Sequence, residues 1–245
     1  GPPPNGVYRL NIDKKELEHP IRKGNIISFY RDSGGELWIG SWEEGLFHVK
    51  TDGKIENFKY DAKNPHSLSS NFVRACCEDN LGNIWIGTFN GLNRYNKSTG
   101  LFQNHTANDI QSDGLTHSSI WCIVKDNQGT LWLGTYFGGV NYFNPEYEIY
   151  TRYKVGDTEK EGLSSPIVGR MTEDKDGNLW ICTEGGGVNV YNRKNNTYRW
   201  YRHEEGRNSI SHNNVKAIYY DRTEEIMWIG THLGGLNNLD LRTNL

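Results

Sequence analysis

The sequence has no long apolar run. Only 35% of its 245 residues are hydrophobic and mean hydropathy is −0.75. No stretch approaches the roughly 20 successive apolar residues of a helical membrane span, so direct membrane insertion of this region is not expected. An N-terminal apolar leader is missing as well, so any signal peptide is expected to lie outside these residues. Charge of one sign is lacking: 27 basic residues face 30 acidic ones, for a net charge of −3. That excludes a broad basic field, and with it nucleic acid or an anionic lipid surface as the main partner. Cysteine is scarce, with only Cys76, Cys77, Cys122 and Cys182. Cys76 and Cys77 are adjacent and poor disulfide partners, and the paired Cys/His spacing of a zinc site is absent. All four read as small buried side chains, which leaves the redox compartment open. Catalytic signatures are missing too. Eight histidines are scattered along the chain, without a Gly-x-Ser-x-Gly elbow or a His-Glu-x-x-His motif. No cofactor, metal or catalytic residue is expected.

What the sequence does contain is glycine, 28 residues, and aromatics, 12%, with only two methionines. That mixture favours short strands and tight turns. It is arranged as a repeat. Five segments align on Trp38, Trp85, Trp132, Trp180 and Trp228, with successive separations of 47, 47, 48 and 48 residues. Periods in the forties mark arrays of supersecondary units. β-branched and aromatic residues, internal glycines and Asp-x-x-Gly turns exclude helical repeats.

Each unit divides into four strands. An apolar run ending in Asp comes first: Ile26 to Asp32, Val73 to Asp79, Ile120 to Asp126, Val168 to Asp174 and Val215 to Asp221. A turn follows, in which Asp bonds its own backbone and Gly accepts a positive φ. The second strand carries the Trp, a Gly-containing turn leads to the third, and the fourth is aromatic and polar. Four antiparallel strands in a repeat of this length make a β-propeller blade. The predicted fold is therefore all-β, a single β-propeller domain over residues 1–245.

The phase of the repeat predicts how the array ends. Tyr198 precedes Trp228 by the same interval as Tyr8 precedes Trp38. Val7 to Leu10 thus reads as a fourth strand with no blade before it, and Leu236 to Leu241 as a third strand. The expectation is five blades closed into a ring, residues 6–13 completing the C-terminal blade and removing its open edge. The competing reading is an arc cut from a longer array.

The pattern D-x-x-G-x-[LI]-W-[IL]-G-T followed by x-x-G-[LV]-N-x-[YF], clearest at Asp79 to Tyr95 and Asp126 to Phe143, resembles the two-component regulator propeller repeat. The Leu-Ser-x-x-x-Val stretch at Leu68 to Val73 matches as well. The resemblance covers residues 7–245. It implies the periplasmic sensor region of a hybrid two-component histidine kinase of the Bacteroides type, a fragment of a larger sensor protein that responds to glycans or oligosaccharides. It also implies other sensor domains of the same polypeptide and a homodimer partner. The chain departs from the family in carrying no sandwich domain, membrane span or kinase. Cys182 stands where Gly40, Gly87, Gly134 and Gly230 stand in other units, and Asp221 lies one residue further from its Trp than its counterparts do.

The repeated Trp and Gly residues read as scaffold, the tryptophans filling the space between sheets. Function is sought where the units differ. The variable residues of the second-to-third-strand turns are Trp42, Glu43, Phe89, Asn90, Tyr136, Phe137, Glu184, His232 and Leu233. Arg74, Trp121, Arg170 and Lys216 lie early in first strands. Blade topology sets both groups near one mouth of the channel. An aromatic face packs the C–H side of a pyranose while polar groups bond its hydroxyls, and Arg or Lys favours a uronate or sulfate. In the plainer reading the aromatics only cap blade edges. Glu43 with Glu184 is the acid pair an enzyme reading, lyase or glycosidase, would need at roughly 5–10 Å. A structural protein-interaction module is the third reading. The basic cluster of Arg193, Lys194, Arg199, Arg202 and Arg207 alternates with aromatics and reads as an exposed edge.

Overall fold

The computed structural model describes residues 6–107, 114–145 and 149–243, with the side chains of 149 and 150 excepted. Among these residues there are 21 strands in six sheets and no helix. Val7–Asn11 (β1) and Glu16–Ile21 (β2) form a two-stranded hairpin. Ile26–Arg31 (β3), Leu37–Ser41 (β4), Leu46–Val49 (β5) and Ile55–Phe58 (β6) form the first four-stranded sheet. The second comprises Val73–Glu78 (β7), Ile84–Thr88 (β8), Gly91–Asn96 (β9) and Leu101–His105 (β10). Ile120–Lys125 (β11), Leu131–Thr135 (β12), Val140–Asn144 (β13) and Ile149–Tyr153 (β14) make the third. Val168–Glu173 (β15), Leu179–Thr183 (β16), Gly187–Asn192 (β17) and Thr197–Tyr201 (β18) make the fourth. The fifth has three strands, Val215–Asp221 (β19), Ile226–Thr231 (β20) and Gly235–Asp240 (β21). Among the described residues these strands pair antiparallel between neighbours in sequence, as in a propeller blade. The chain divides into two compact units, one up to His105 and one from Thr106.

The predicted Asp turn is present, and the Asp does more than cap it. In four units one carboxylate oxygen accepts the backbone N–H at the start of the second strand, as Asp79 does from Asn83 at 2.9 Å. The other accepts the indole N–H of the Trp six residues on, at 2.7–2.9 Å for Trp38, Trp85, Trp132 and Trp180. The Trp therefore enters the core with its polar atom satisfied. Trp38 packs on Val73, Cys76 and Tyr95 of the next sheet, and Trp132 likewise on Val168, Met171 and Tyr191. Burying one such ring removes about 150–250 Å² from water, worth roughly 4–6 kcal/mol before entropy is counted. In the fifth unit the extra residue changes this. Asp221 accepts from the Thr223 and Glu224 N–H groups instead, Glu225 adopts a φ of 55°, and Trp228 stays partly exposed.

The Asn of the third strand explains the Leu-Ser stretch. Asn93, Asn141, Asn189 and Asn237 each accept the backbone N–H of Ser69, Thr116, Ser164 and Ser211 at 2.7–3.0 Å, tying the incoming loop to the sheet. Gly40 is dictated by close approach: a Cβ there would lie 2.6 Å from the Val73 carbonyl oxygen of the next sheet and 2.3 Å from Ser28 Oγ. At Cys182 the small residue has moved to the partner strand. A bulge between Val168 and Met171 sets Gly169 beside Cys182, whose Cβ lies 3.6 Å from where a Gly169 Cβ would be.

Ion clamps join sheets within each unit. Lys97 Nζ lies 2.8 Å from both Asp32 and Glu78. Arg193 bridges Asp126 and Glu173 in the same way. Burial alone would raise the Asp32 and Glu78 carboxyls. The bonds Asp32 accepts from Lys97 and Trp38, and those Glu78 accepts from Lys97 and Ser33, outweigh it and hold both below the usual carboxylate range.

The N-terminal strand corrects one expectation. Residues 6–13 do not complete the C-terminal blade. β1 pairs with β2, register Arg9 with Glu18 and Asn11 with Glu16, while the fifth sheet stops at three strands. The five closed blades that the sequence predicted are not formed. The physical reason is locality. Ile12 to Lys15 turn the chain back at once, with Lys15 at φ 55°, and a short loop costs far less closure entropy than pairing across the whole chain. An Arg9–Glu18 ion pair reinforces the hairpin.

Candidate functional site

The predicted turn residues occupy equivalent places. Trp42, Phe89, Tyr136, Glu184 and His232 each donate the backbone N–H to the carbonyl just before the first strand of their own sheet, at Asn25, Phe72, Ser119, Ile167 and Asn214, over 2.8–3.0 Å. Each sheet thus presents one variable side chain beside the start of its first strand. A Thr or Ser hydroxyl closes the same turn, as Thr88 does on Gly91 and Thr183 on Gly187. The backbone is fixed and the side chain is left to vary.

In the N-terminal unit these positions form an aromatic strip. Trp42 meets Phe72 edge-on at 5.0 Å between ring centroids, and Phe72 meets Phe89 at 5.8 Å. Trp42 is 40% exposed and Phe89 52%, so the strip faces solvent. The Arg74 guanidinium lies 5.3 Å from the Phe89 ring centroid, from a buried position in β7. Glu43 and Asn90 are exposed at the two ends of the strip. Phe72 was missed in the sequence. It lies in the variable part of the Leu-Ser-x-x-x-Val stretch, and its signal would have been its place one residue before each first strand.

The C-terminal unit holds a second cluster. Trp121 stacks on Tyr136 at 5.9 Å, and Tyr136 meets Phe137 edge-on at 4.4 Å. Phe137 is exposed and takes a φ of 71°, which turns its ring outward from the tight turn. Glu184 pairs with Lys216 at 3.2 Å, so this acid already has a cation. His232 and Leu233 are exposed at the equivalent fifth turn. Arg170 does not share the position of Arg74, Trp121 and Lys216. Gly169 stands there, eleven residues before Trp180 as Arg74 is before Trp85, and Arg170 falls one place further on, where Ser28 and Cys122 stand. Glu43 and Glu184 belong to different units.

With this geometry in view, the repeat can be compared with known proteins. A family model described as the two-component regulator propeller matches residues 20–43, 67–90, 114–137 and 162–185. The chain carries two-component regulator propeller repeats. Each match runs from before a first strand through the Asp turn and the Trp strand to the variable turn. The fifth unit, with its displaced Asp221, lies outside the matched segments. No curated protein matches the chain. Among solved structures, the propeller-repeat chain is similar to the extracellular domain of a hybrid two-component system from B. thetaiotaomicron, at 21% identity and TM-score 0.53, over 87% of this chain and 33% of that one. A second such domain from the same organism matches at 19% identity and TM-score 0.60, over 97% of this chain and 39% of the other. Virginiamycin B lyase from Staphylococcus aureus matches at 16% identity and TM-score 0.70, over 97% and 74%. At these identities the likeness is one of fold. The chain spans about a third of the length of the two Bacteroides domains.

Proposed function

We propose that this region is a ligand-sensing module of a two-component system, facing the periplasm, that binds an oligosaccharide without turning it over. The repeat family and the resemblance to extracellular domains support the sensing role. The observation that carries the ligand class is the solvent-facing strip Trp42–Phe72–Phe89. Flat, rigid rings offer area to the apolar face of a pyranose at little entropic cost, and Glu43 and Asn90 flank them with hydroxyl partners. Arg74, already over the Phe89 ring, fixes that ring's orientation. The cluster Trp121–Tyr136–Phe137 is a second platform of the same kind.

The test is a glycan array followed by calorimetry on the wild type, Trp42→Ala and Phe89→Ala. A tenfold or greater loss in either variant is expected, since stacked aromatics contribute roughly 1–3 kcal/mol at a binding site. Affinity untouched by both changes moves the site off this strip. Steady release of shortened or unsaturated sugar replaces the sensor reading with an enzymatic one. No binding to any glycan leaves a structural interaction module.

A further inference from the structure

In the first repeat sheet a histidine occupies the place that a permanent cation holds in the second. His48 of β5 stands opposite Trp38 on one side and opposite Glu56 on the other. In the second sheet Arg94 of β9 stands opposite Trp85 and Gln103. Arg94 donates to Gln103 Oε1 at 2.7 Å, and its guanidinium lies 5.9 Å from the Trp85 ring centroid. Both sheets have four strands. His48 is 4% exposed, and its imidazole stacks on Trp38 at 3.8 Å between centroids with 10° between the planes. Nε2 meets Glu36 Oε2 at 2.8 Å, and Nδ1 lies 3.7 Å from Glu56 Oε2. Among the described residues Nδ1 is buried without a hydrogen-bond partner.

A neutral imidazole has a single N–H. Given to Glu36, it leaves a buried lone pair on Nδ1 turned toward a carboxylate, which costs free energy. Glu56 is ionised: bonds from Lys50 and Lys54, at 2.9 and 3.0 Å and both to Oε1, hold its carboxyl down at about 2. A charged ring has a donor for each carboxylate and sets its charge on the Trp38 face. The other groups packed around Trp38 do not compete for that role. Burial keeps the Tyr30 and Tyr95 phenols and the Cys76 thiol neutral. Asp32, at the Trp38 indole N–H, is already paired with Lys97. We propose that His48 is a proton switch in the seam between the first two repeat sheets. Charged, it ties Glu36, just before β4, to Glu56 of β6 across β5; neutral, it lets Glu56 go and loosens the stack on Trp38. A proton held more tightly in the folded chain than in the unfolded one stabilises the fold fully below the ordinary histidine value of about 6.5, and that stability is lost as pH rises through the folded value.

The test is proton NMR of the full chain between about pH 5 and about pH 9, the range in which histidines change charge. The His48 ring is identified by its contacts with the Trp38 ring, and the exposed His232 ring serves as reference. His48 is expected to stay charged at a pH where His232 is already neutral. Urea unfolding then compares the wild type with His48→Gln, which cannot take the proton. The ratio of their folding equilibrium constants is expected to fall roughly tenfold over the same range. A His48 ring that is neutral throughout, or that loses its proton together with His232, overturns the proposal. A ratio that does not change with pH overturns it too, since the proton would then hold nothing in place. If His48→Gln does not fold, hydrogen exchange in the wild type at Leu46–Val49 and Ile55–Phe58 is read instead. Protection there, corrected for the pH dependence of exchange itself, is expected to drop as His48 becomes neutral, and constant protection overturns the proposal.

Discussion

The Lys97 clamp offers a sharp test of how the first two repeat sheets are held together. Its ammonium is shared by Asp32, whose side chain is fully buried, and Glu78, which is 6% exposed, while Lys97 itself is 31% exposed. Lys97→Met keeps the length of the stem and removes the charge. Two carboxylates are then left buried beside each other, one still bonded to the Trp38 indole and the other to the Ser33 amide. Removing one partner of a buried pair costs on the order of 3–5 kcal/mol, and the part-exposed lysine places this case near the lower bound, about 3 kcal/mol. Urea unfolding followed by tryptophan fluorescence measures the loss. Hydrogen exchange at Leu37–Ser41 and Ile84–Thr88 locates it. The pH dependence carries the stronger test, because its sign changes. In the wild type both carboxyls are held below their ordinary values. Their stabilisation is therefore complete above the unfolded range near pH 4 and disappears as pH falls through the lower folded values. In the variant, burial and like charge raise them, so lowering pH from 7 to 5 should stabilise the variant while leaving the wild type unchanged. A loss below about 0.5 kcal/mol together with an unchanged pH profile would show that water replaces the ammonium and that the clamp contributes little.

Gly40→Ala should cost several kcal/mol or prevent folding, because the new Cβ meets Ser28 Oγ at 2.3 Å and the Val73 carbonyl at 2.6 Å. Gly82→Ala, at φ +82° with open space around the Cβ, should cost only about 1 kcal/mol, and equal losses in paired thermal melts would refute the steric argument. Cys182→Gly should fold with a loss of about 1–2 kcal/mol, since Gly stands at the equivalent position in four of the five units; failure to express folded protein would point to a role for the thiol. Removing residues 1–13 deletes β1 and the packing of Val7 on Ile21, Ile39 and Phe47 but leaves every ladder of the five repeat sheets intact. The expected cost is about 1–2 kcal/mol by area, and a collapse of the melting transition would show that the N-terminal strand supports more than its hairpin.

Features that repeat, and features carried by neighbouring residues, were legible in the sequence. The separations of Trp38, Trp85, Trp132, Trp180 and Trp228 determine four-strand units, because the Asp turn, the Trp strand and the Gly turn are each local and each recurs. The equivalence of Trp42, Phe89, Tyr136, Glu184 and His232 followed from the same spacing. Even the anomaly at Asp221 was visible as one extra residue, and it leaves Trp228 without the carboxylate cap of its counterparts. Tertiary structure decided what depends on competition between partners far apart in the chain. The sequence shows that Val7–Asn11 has the phase of a fourth strand, but not that a four-residue turn lets β2 reach it first. Lys97 and Asp32 are 65 positions apart, and Arg193 and Asp126 are 67 apart, so no local pattern announces that each cation closes on the preceding sheet. The place of Arg170 was countable, ten residues before Trp180 where Arg74 lies eleven before Trp85, but the setting of Gly169 beside Cys182 is made across a strand pair. Phe72 joins the strip only because β7 and β8 bring its carbonyl under the Phe89 amide. Side-chain periodicity fixes which face a residue takes, but long-range packing decides which neighbour that face meets.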